Sequence, residues 1–288
     1  MRRIARIELL WALLVLTLPA VWGEDQGAVA RGRLLYAIGG CTNCHTAEEG
    51  EELAGGDPLP TPFGVFYPPN ITPDPDYGIG AWSDTDFIRA MQEGISPHGH
   101  PYYPAFPYPS YTRMRESDLK DLKAFLDTIP AVKRPSRPHE LRFPFNIRSG
   151  LWLWRWLYFR PARFRPDPFR SQRWNRGAYL VEGPGHCGEC HTPRNFLGGP
   201  DRTRAYAGSV LGEIRAPNIT PDPEFGIGEW SDGDLLYFFQ TGIRPDGDSV
   251  SGAMAKVIRN GTAKLPETDL RAIIEYLRSL KPVAWEPF

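Results

Sequence analysis

Two short motifs contain every cysteine of this 288-residue chain, and each motif ends in a histidine. The six residues are Cys41, Cys44 and His45 in the first motif, and Cys187, Cys190 and His191 in the second. Two thiols three positions apart lie on one turn of a helix, where they can form thioethers to the two vinyl groups of one haem. The adjoining imidazole then faces the iron as its proximal ligand. The spacing therefore predicts two covalently bound haem c groups.

Three other kinds of chemistry use cysteines in this number. A single zinc site would have to join two motifs whose first cysteines are 146 residues apart, and it would leave the paired histidines unexplained. A thioredoxin-like redox pair requires a strand–helix unit that the sequence does not indicate. Two structural disulfides would suit an exported protein, but they give no role to the histidines.

The two motifs belong to two copies of one repeat. Residues 69–75 and residues 217–223 share the sequence Pro-Asn-Ile-Thr-Pro-Asp-Pro. Trp82 follows the first copy and Trp230 follows the second, each 12 residues after the asparagine. A repeat of this length predicts two similar structural units, each built around one haem.

Helices are predicted at both ends of each repeat. Short helical segments precede the motifs at residues 31–36 and 176–181. Closing helices are indicated by apolar residues spaced three or four apart, with Ser117 and Thr268 as N-caps. These apolar residues are Leu119, Leu122, Phe125 and Ile129, then Leu270, Ile273, Leu277 and Leu280. Loops rich in proline and glycine fill the space between, so an all-α fold is expected.

On these motifs the chain resembles the diheme members of the cytochrome c superfamily. It is most similar to the cytochrome subunits of membrane-associated periplasmic dehydrogenases of the alcohol dehydrogenase type. The resemblance covers residues 26–130 and 173–282. It implies two tandem class I cytochrome c domains, at residues 24–130 and 173–288, with a linker at 131–172. It also implies an electron carrier with no catalytic residues of its own.

The sixth iron ligand differs between the repeats. The superfamily places a methionine before the last helix, and Met254 lies there, 63 residues after His191. Methionine in this position raises the reduction potential of the haem. Two histidines, His139 and His186, lack any partner pattern and are interpreted as structural.

In the first repeat, phenylalanine occupies the position that corresponds to Met254. Because Phe106 cannot bind iron, we predict that Met114, eight residues later, is the ligand. His98 or His100 would instead give a haem with two histidine ligands, and an open site would favour catalysis. Met91 is interpreted as a core residue.

Two tryptophans and two asparagines are candidates for contact with the haem propionates. Trp82 and Trp230 carry indole N–H groups that can only donate, which suits a carboxylate. Asn70 and Asn218 lie in the repeated Pro-Asn-Ile-Thr block. The alternative is that all four residues shape the loop.

The linker is strongly basic and aromatic. Residues 133–176 contain 12 Lys/Arg and 2 Asp/Glu, whereas residues 24–132 contain 7 and 16, and residues 177–288 contain 11 and 15. Residues 131–175 also hold ten aromatic side chains. We expect the linker to bury these aromatics between the two domains, with docking to a partner or a membrane surface as the alternative.

The N-terminus is predicted to be an export signal. Arg2, Arg3 and Arg6 precede an apolar run of 14 residues, 9–22, which is too short to span a bilayer. Cleavage near Gly23 is preferred over an uncleaved anchor. The mature chain is thus expected in the periplasm, where nucleic acid is not a partner.

Electrons are expected to enter from a periplasmic dehydrogenase and to leave to a quinone, another cytochrome or an oxidase. The alternative function is a diheme enzyme, either a peroxidase or a thiosulfate dehydrogenase. That alternative requires one haem with an exchangeable or unusual ligand.

Overall fold

The computed structural model describes residues 21–212 and 214–287. Most of the predicted signal, residues 1–23, lies outside the described residues, and its last three residues begin the first helix. The longer helices are α1 (Val21–Gly39), α3 (Asp84–Glu93), α5 (Glu116–Leu126), α6 (Gly150–Tyr158), α7 (Gln172–Glu182), α9 (Asp232–Thr241), α10 (Gly252–Asn260) and α11 (Glu267–Arg278). The short helices are α2 (Cys41–His45), α4 (Tyr108–Tyr111) and α8 (Cys187–His191). Among these described residues, no helix combines the length and the apolar character that a membrane span requires.

The same helix pair is built twice. Helix α1 packs on α5, and α7 packs on α11. Both crossings are close at a glycine: a Cβ on Gly32 would lie 2.0 Å from the carbonyl oxygen of Asp121, and one on Gly177 would lie 1.9 Å from that of Ala272. The glycines therefore set the distance between the helices of each pair.

At each crossing, an arginine forms a bidentate ion pair with an aspartate of the other helix. Arg31 donates to the Asp121 carboxylate at 2.6 and 2.9 Å, and Arg176 donates to the Asp269 carboxylate at 2.9 and 2.8 Å. The two aspartates are buried although the arginines are partly exposed. A bidentate pair fixes orientation as well as distance, so it holds the opening and closing helices in register.

Two hydrophobic cores follow from these pairs. The first contains Leu35, Tyr36, Leu53, Ile79, Phe87, Met91, Tyr111, Met114, Leu119, Leu122, Phe125, Leu126 and Ile129. The second contains Ile38, Ala178, Leu180, Val181, Ile227, Leu235, Phe239, Leu265, Leu270, Ile273, Ile274, Tyr276 and Leu277. Ile38 belongs to α1 but packs in the second core, so the opening helix of the first repeat contacts both. The core placement of Met91 is confirmed.

Both closing helices start two residues earlier than predicted. Helix α5 begins at Glu116 and α11 begins at Glu267, so Ser117 and Thr268 lie inside the first turn and are not N-caps. The residues before them, Arg115 and Pro266, have extended backbones and make no side-chain cap. Instead, acidic side chains in the first turn of both helices stabilise the helix start through their attraction to the positive end of the helix dipole.

Reciprocal caps do start the two helices that follow the repeated tryptophans. At the start of α3, the Ser83 hydroxyl accepts from the backbone N–H of Asp86, and the Asp86 carboxylate accepts from the backbone N–H of Ser83. Ser231 and Asp234 form the same reciprocal pair at the start of α9. The Ser231 hydrogen bonds hold the pKa of Asp234 below its usual value of 3.8. This stabilisation is therefore present above that value and lost as the pH falls through the lowered pKa of Asp234.

Removal of one cap should have a small, pH-dependent effect. We expect Ser231→Ala to lower the thermal unfolding midpoint at pH 7 by about 2–4 °C, the usual worth of an N-cap in a protein of this size. The difference from the parent chain should shrink below the ordinary pKa of Asp234. Calorimetry of both proteins across acidic pH checks this, and a difference that stays constant with pH would contradict it.

The structure is mostly helical, as the sequence predicts, and it adds two small antiparallel sheets that were not expected. Strands β1 (Leu59–Thr61), β2 (Gly64–Phe66) and β3 (Glu140–Leu141) form one sheet, and β4 (Ser209–Leu211) and β5 (Ile214–Ala216) form the other. Each strand has only two or three residues, too few for an alternating pattern to be read. Gly64 and Gly212 have positive φ, which permits the tight turns.

The linker is more exposed than expected. Leu151 and Phe159 of the α6 segment are buried, but Trp152 and Trp156 remain 52% and 68% exposed. The interpretation that the linker buries its aromatics between two domains therefore fails for most of α6. The reason is geometric, since one face of a nine-residue helix packs and the other points outward.

Candidate functional site

Each cysteine–histidine motif forms a single turn of helix. Helix α2 follows Gly40 and α8 follows His186, and both preceding residues are left-handed, with φ of 58° and 38°. The chain therefore reverses sharply before each first cysteine. The helical spacing then brings the two thiols of a motif to one side, as the sequence predicts.

The histidines of the two motifs have the same partner. His45 Nδ1 lies 2.7 Å from the carbonyl oxygen of Pro69, and His191 Nδ1 lies 2.7 Å from that of Pro217. A carbonyl can only accept, so Nδ1 carries the proton and Nε2 keeps its lone pair. Such a hydrogen bond fixes ring orientation and tautomer in metal-binding histidines.

Burial reinforces this protonation state. It lowers the pKa of both His45 and His191 and outweighs the proline carbonyls, which act in the opposite direction. The imidazoles are thus kept neutral, the form that binds a metal. Among the described residues, no hydrogen bond engages Nε2 of either ring.

The repeated Pro-Asn-Ile-Thr block positions the accepting carbonyl. Asn70 donates to the carbonyls of Val132 and Arg134, at 2.8 and 3.0 Å, and its own oxygen accepts from the backbone and hydroxyl of Thr72. The side-chain amide is therefore satisfied by the protein. This decides the open question for the asparagine: it shapes the loop and has no donor left for a propionate.

The second copy repeats these contacts. Asn218 donates to the carbonyls of Val283 and Trp285, at 2.8 and 3.1 Å, and accepts from Thr220. Each asparagine thus ties the segment after a closing helix to the loop that holds a histidine. Trp82 and Trp230 are only partly buried, and each packs against the core of its own repeat.

The thiols are unsuited to redox exchange or zinc binding. All four cysteines are free, and burial raises the pKa of Cys41 and Cys187 to about 12 and that of Cys190 to about 11. Burial also raises the pKa of Cys44. Redox cysteines and zinc ligands work as thiolates, which a raised pKa disfavours. Within the described ranges, no three His, Cys, Asp or Glu side chains converge on a metal site.

The donor set therefore fits haem c. Protonated thiols, free of disulfides, lie on one turn beside a neutral imidazole with a free nitrogen. Haem supplies a one-electron iron centre to such a site. The protein's own residues supply attachment, burial and orientation of the proximal ring.

The two methionines predicted as ligands, Met114 and Met254, both lie in apolar surroundings. Met114 is 1% exposed and belongs to the first core, and its carbonyl accepts from buried Gln92 at 2.8 Å. Met254 packs against the second core from the first turn of α10. His98 and His100 lie in an exposed turn.

Contacts between each motif and the other repeat were not predicted. Asn260 donates to the Asn43 side chain at 2.7 Å, and Ser110 donates to Glu189 at 2.6 Å, so a residue inside each motif bonds to the other repeat. The Glu189 carboxylate also pairs with Arg194. These polar side chains fill variable positions of the motifs, and nothing in their spacing could have identified the partners.

His186 makes a third contact of this kind. Its Nε2 lies 3.2 Å from the carbonyl of Gly39, and its ring packs edge-on against Tyr111. The structural interpretation of His186 is confirmed, and its role is to join the residues just before each motif. His139 is structural as well, since its Nδ1 accepts from the N–H of Tyr67 at 3.2 Å.

Comparison with known proteins supports this chemistry. The cytochrome c family model matches residues 29–130. A diheme cytochrome c-type protein of Cereibacter sphaeroides is 45% identical over 272 residues, covering 92% of this chain and 90% of that protein. The cytochrome subunit of fructose dehydrogenase from Gluconobacter japonicus is 40% identical, over 92% of this chain and 55% of its own length.

A third relative is also a cytochrome subunit of a dehydrogenase. The cytochrome c subunit of a quinone-dependent alcohol dehydrogenase from Gluconacetobacter polyoxogenes is 39% identical, over 90% of this chain and 57% of its own length. The chain thus spans little more than half the length of these two dehydrogenase subunits. Homologues that are cytochrome subunits of dehydrogenase complexes support a role in electron transfer. With its two geometrically equivalent motifs, the chain belongs to the family of diheme c-type cytochromes.

Proposed function

We propose that this chain is an exported electron carrier with two covalently attached haems. The observation that carries the proposal is the duplicated site, in which two histidines adjoining paired thiols have the same 2.7 Å contact to a proline carbonyl. A single site could arise in a protein with one haem. Two equivalent sites with the same protonation state call for two haems, each with its own domain, at residues 24–130 and 173–288.

The placement of the motifs supports transfer between the haems. The residues just before both motifs are in contact through His186 and Gly39, and Asn43 and Glu189 bond across the repeats. The Cys44 thiol is also close enough to contribute to the raised pKa of Cys190. Haems attached to these thiols would have neighbouring edges, so an electron arriving at one is delivered to the other.

The sixth ligands proposed are Met114 and Met254. Both side chains lie in apolar surroundings, and a thioether ligand suits an electron carrier because it leaves no open position for a substrate. We propose a periplasmic dehydrogenase as donor and a quinone, cytochrome or oxidase as acceptor. The export signal, residues 1–23, and the linker, 131–172, complete the proposed organisation.

The haem count is the direct test. Expressed in a bacterium competent for cytochrome c maturation, the chain should be red and should weigh two haems more than its processed polypeptide. Cys41→Ser with Cys44→Ser should remove one haem, and Cys187→Ser with Cys190→Ser should remove the other. A mass equal to the bare polypeptide, or one unaffected by either pair, would refute the proposal.

Electron transfer is tested on the same preparations. The two-haem protein should accept two electrons from a small reductant, and each single-haem protein should accept one. Neither form should turn over peroxide, because the proposed ligands fill both irons. Steady peroxide consumption would favour the diheme enzyme instead.

A further inference from the structure

The outward face of α6 exposes four large apolar side chains to solvent. Its four side chains are Trp152, Leu153, Trp156 and Leu157, which are 52%, 61%, 68% and 42% exposed. We call them the apolar face of α6. Their positions, one, four and five residues apart, place them on one side of the helix. Exposing two tryptophans and two leucines together to water is unfavourable, so this face requires a partner.

Helix α6 is held firmly from its other side. Trp154 donates to the Leu197 carbonyl at 2.9 Å, and the buried Leu151 and Phe159 anchor the two ends of the helix. The guanidinium of Arg155 stacks on Phe159 at 4.9 Å and on Tyr108 at 5.3 Å. The apolar face is therefore presented on a fixed element.

A cavity of about 510 Å³ adjoins the end of this helix. We call it the arginine pocket, because Leu157 and Tyr158 line it together with Arg160, Arg194, Arg202 and Arg204. Asp201 also lines it, and its carboxylate is paired with Arg204. No thiol or histidine of a haem motif and no methionine lines it. It is therefore separate from the proposed haem sites.

Two of the four arginines are available to an external anion. Arg194 and Arg204 pair with Glu189 and Asp201. Arg160 instead donates to the Phe159 carbonyl at 3.1 Å, and Arg202 donates to the Tyr158 carbonyl at 3.2 Å. Within the described part of the chain, neither of these two guanidinium groups has an acidic partner.

We propose that α6 seats the protein on an anionic phospholipid bilayer. The apolar face would enter the boundary between headgroups and acyl chains, and the arginine pocket would hold a lipid phosphate. Tryptophan and leucine on one face of a helix with arginine beside them are what a helix lying in the interface plane requires. Guanidinium groups bind phosphate oxygens with paired hydrogen bonds.

Charge selects the bilayer over a protein partner. Residues 133–176 carry 12 basic and 2 acidic side chains. Exposed arginines of this segment outside the pocket, such as Arg142 and Arg165, have no acidic partner in the structure as described. An extended basic surface around protruding apolar side chains complements a sheet of anionic headgroups.

The inference rests on the proposed export, because the chain must reach a membrane surface, but not on electron transfer. Its test therefore reads lipid binding alone. Haem-loaded protein is floated with vesicles of phosphatidylcholine, and with vesicles of phosphatidylcholine mixed with phosphatidylglycerol. Binding is expected only to the second, and inorganic phosphate should compete weakly because it lacks acyl chains.

Variants separate the two parts of the surface. Leu153→Ser with Trp156→Ser should weaken binding about tenfold or more, since the most exposed apolar area is lost. Arg160→Gln with Arg202→Gln should weaken it roughly fivefold for each arginine. The matched controls are Tyr77→Ser with Tyr237→Ser, and Arg259→Gln. They alter exposed residues outside the linker and should bind like the parent.

A photoreactive lipid makes the result independent of the N-terminus. If an export segment were retained and bound the vesicles itself, crosslinked peptides would still report whether residues 143–170 contact lipid. Crosslinks there confirm the proposal. Variants that bind like the parent together with crosslinks that avoid this segment would overturn it, and so would crosslinks to residues 143–170 of equal yield in neutral and anionic vesicles.

Discussion

Gly177→Ala should destabilise the protein by about 3 kcal/mol or more, toward the upper end of what overpacking a core costs. The added methyl would lie 1.9 Å from the carbonyl oxygen of Ala272, which belongs to the backbone of α11 and cannot rotate away. Helices α7 and α11 would have to separate along their whole crossing. Gly32→Ala should act in the same way on α1 and α5, where the distance is 2.0 Å.

Denaturant unfolding followed by far-ultraviolet circular dichroism measures the effect on haem-loaded protein. Gly233→Ala is the matched control, because that glycine lies in the first turn of α9 and its Cβ would be 3.5 Å from the nearest atom, an ordinary contact. Alanine favours helix over glycine by up to about 1 kcal/mol, so the control should be neutral or slightly stabilised. A Gly177→Ala protein as stable as this control would show that the helices do not cross there.

The sequence identified these helices because their apolar residues repeat every three or four positions. Leu119, Leu122 and Phe125 are buried on one face of α5, and Leu270, Ile273 and Leu277 on one face of α11, as predicted. The opening helices are longer than predicted, since α1 extends over Val21–Gly39 and carries residues that serve both cores. A helix that packs on two sides lacks the single apolar stripe on which the prediction depends.

For the motif histidines, the sequence predicted the motif but not the hydrogen-bond partner. Their pairing with cysteines was evident from spacing, but the proline carbonyls that orient His45 and His191 come from 24 and 26 residues further along. The repeated block was visible in the sequence as a repeat, without a role. Asn70 illustrates why, since the four hydrogen bonds of its side chain reach Val132, Arg134 and Thr72, and only folding brings the first two near it.

The exposure of α6 could not be predicted because composition does not say which side of a short helix packs. Trp154 and Trp156 are separated by two positions and therefore lie on different sides. One donates to Leu197 and the other is 68% exposed. An aromatic linker is expected both for burial between domains and for contact with a bilayer, so its composition could not decide between these two alternatives.

Met254→Ala should lower the reduction potential of the second haem by on the order of 0.1 V or more, within the range of about 0.8 V that axial ligands set. The expectation follows from the proposed ligation, since a methionine ligand raises the potential and alanine has no donor atom. Met114→Ala should do the same at the first haem. Redox titration followed by absorbance measures both reduction potentials. Each variant should lower the potential of one haem and leave that of the other unchanged.

Met91→Leu is the matched control for these variants. Met91 is 7% exposed in the first core, so it tests the loss of a buried thioether where no iron is expected. Leucine has a similar volume, and the exchange should cost less than about 1.5 kcal/mol and leave both potentials unchanged. A change in potential from Met91→Leu would mean that packing alone changes the potentials.

The first haem is where the ligand assignment is tested most severely. Phenylalanine at position 106 leaves Met114, His98 and His100 as candidates, and the structure buries the methionine while it exposes both histidines. His98→Ala with His100→Ala should therefore leave both potentials and the methionine–iron absorption band intact. If that double variant changed the potential of the first haem and Met114→Ala did not, the first iron would have two histidine ligands. The exposed turn that carries His98 and His100 would then have to fold inward once haem is bound.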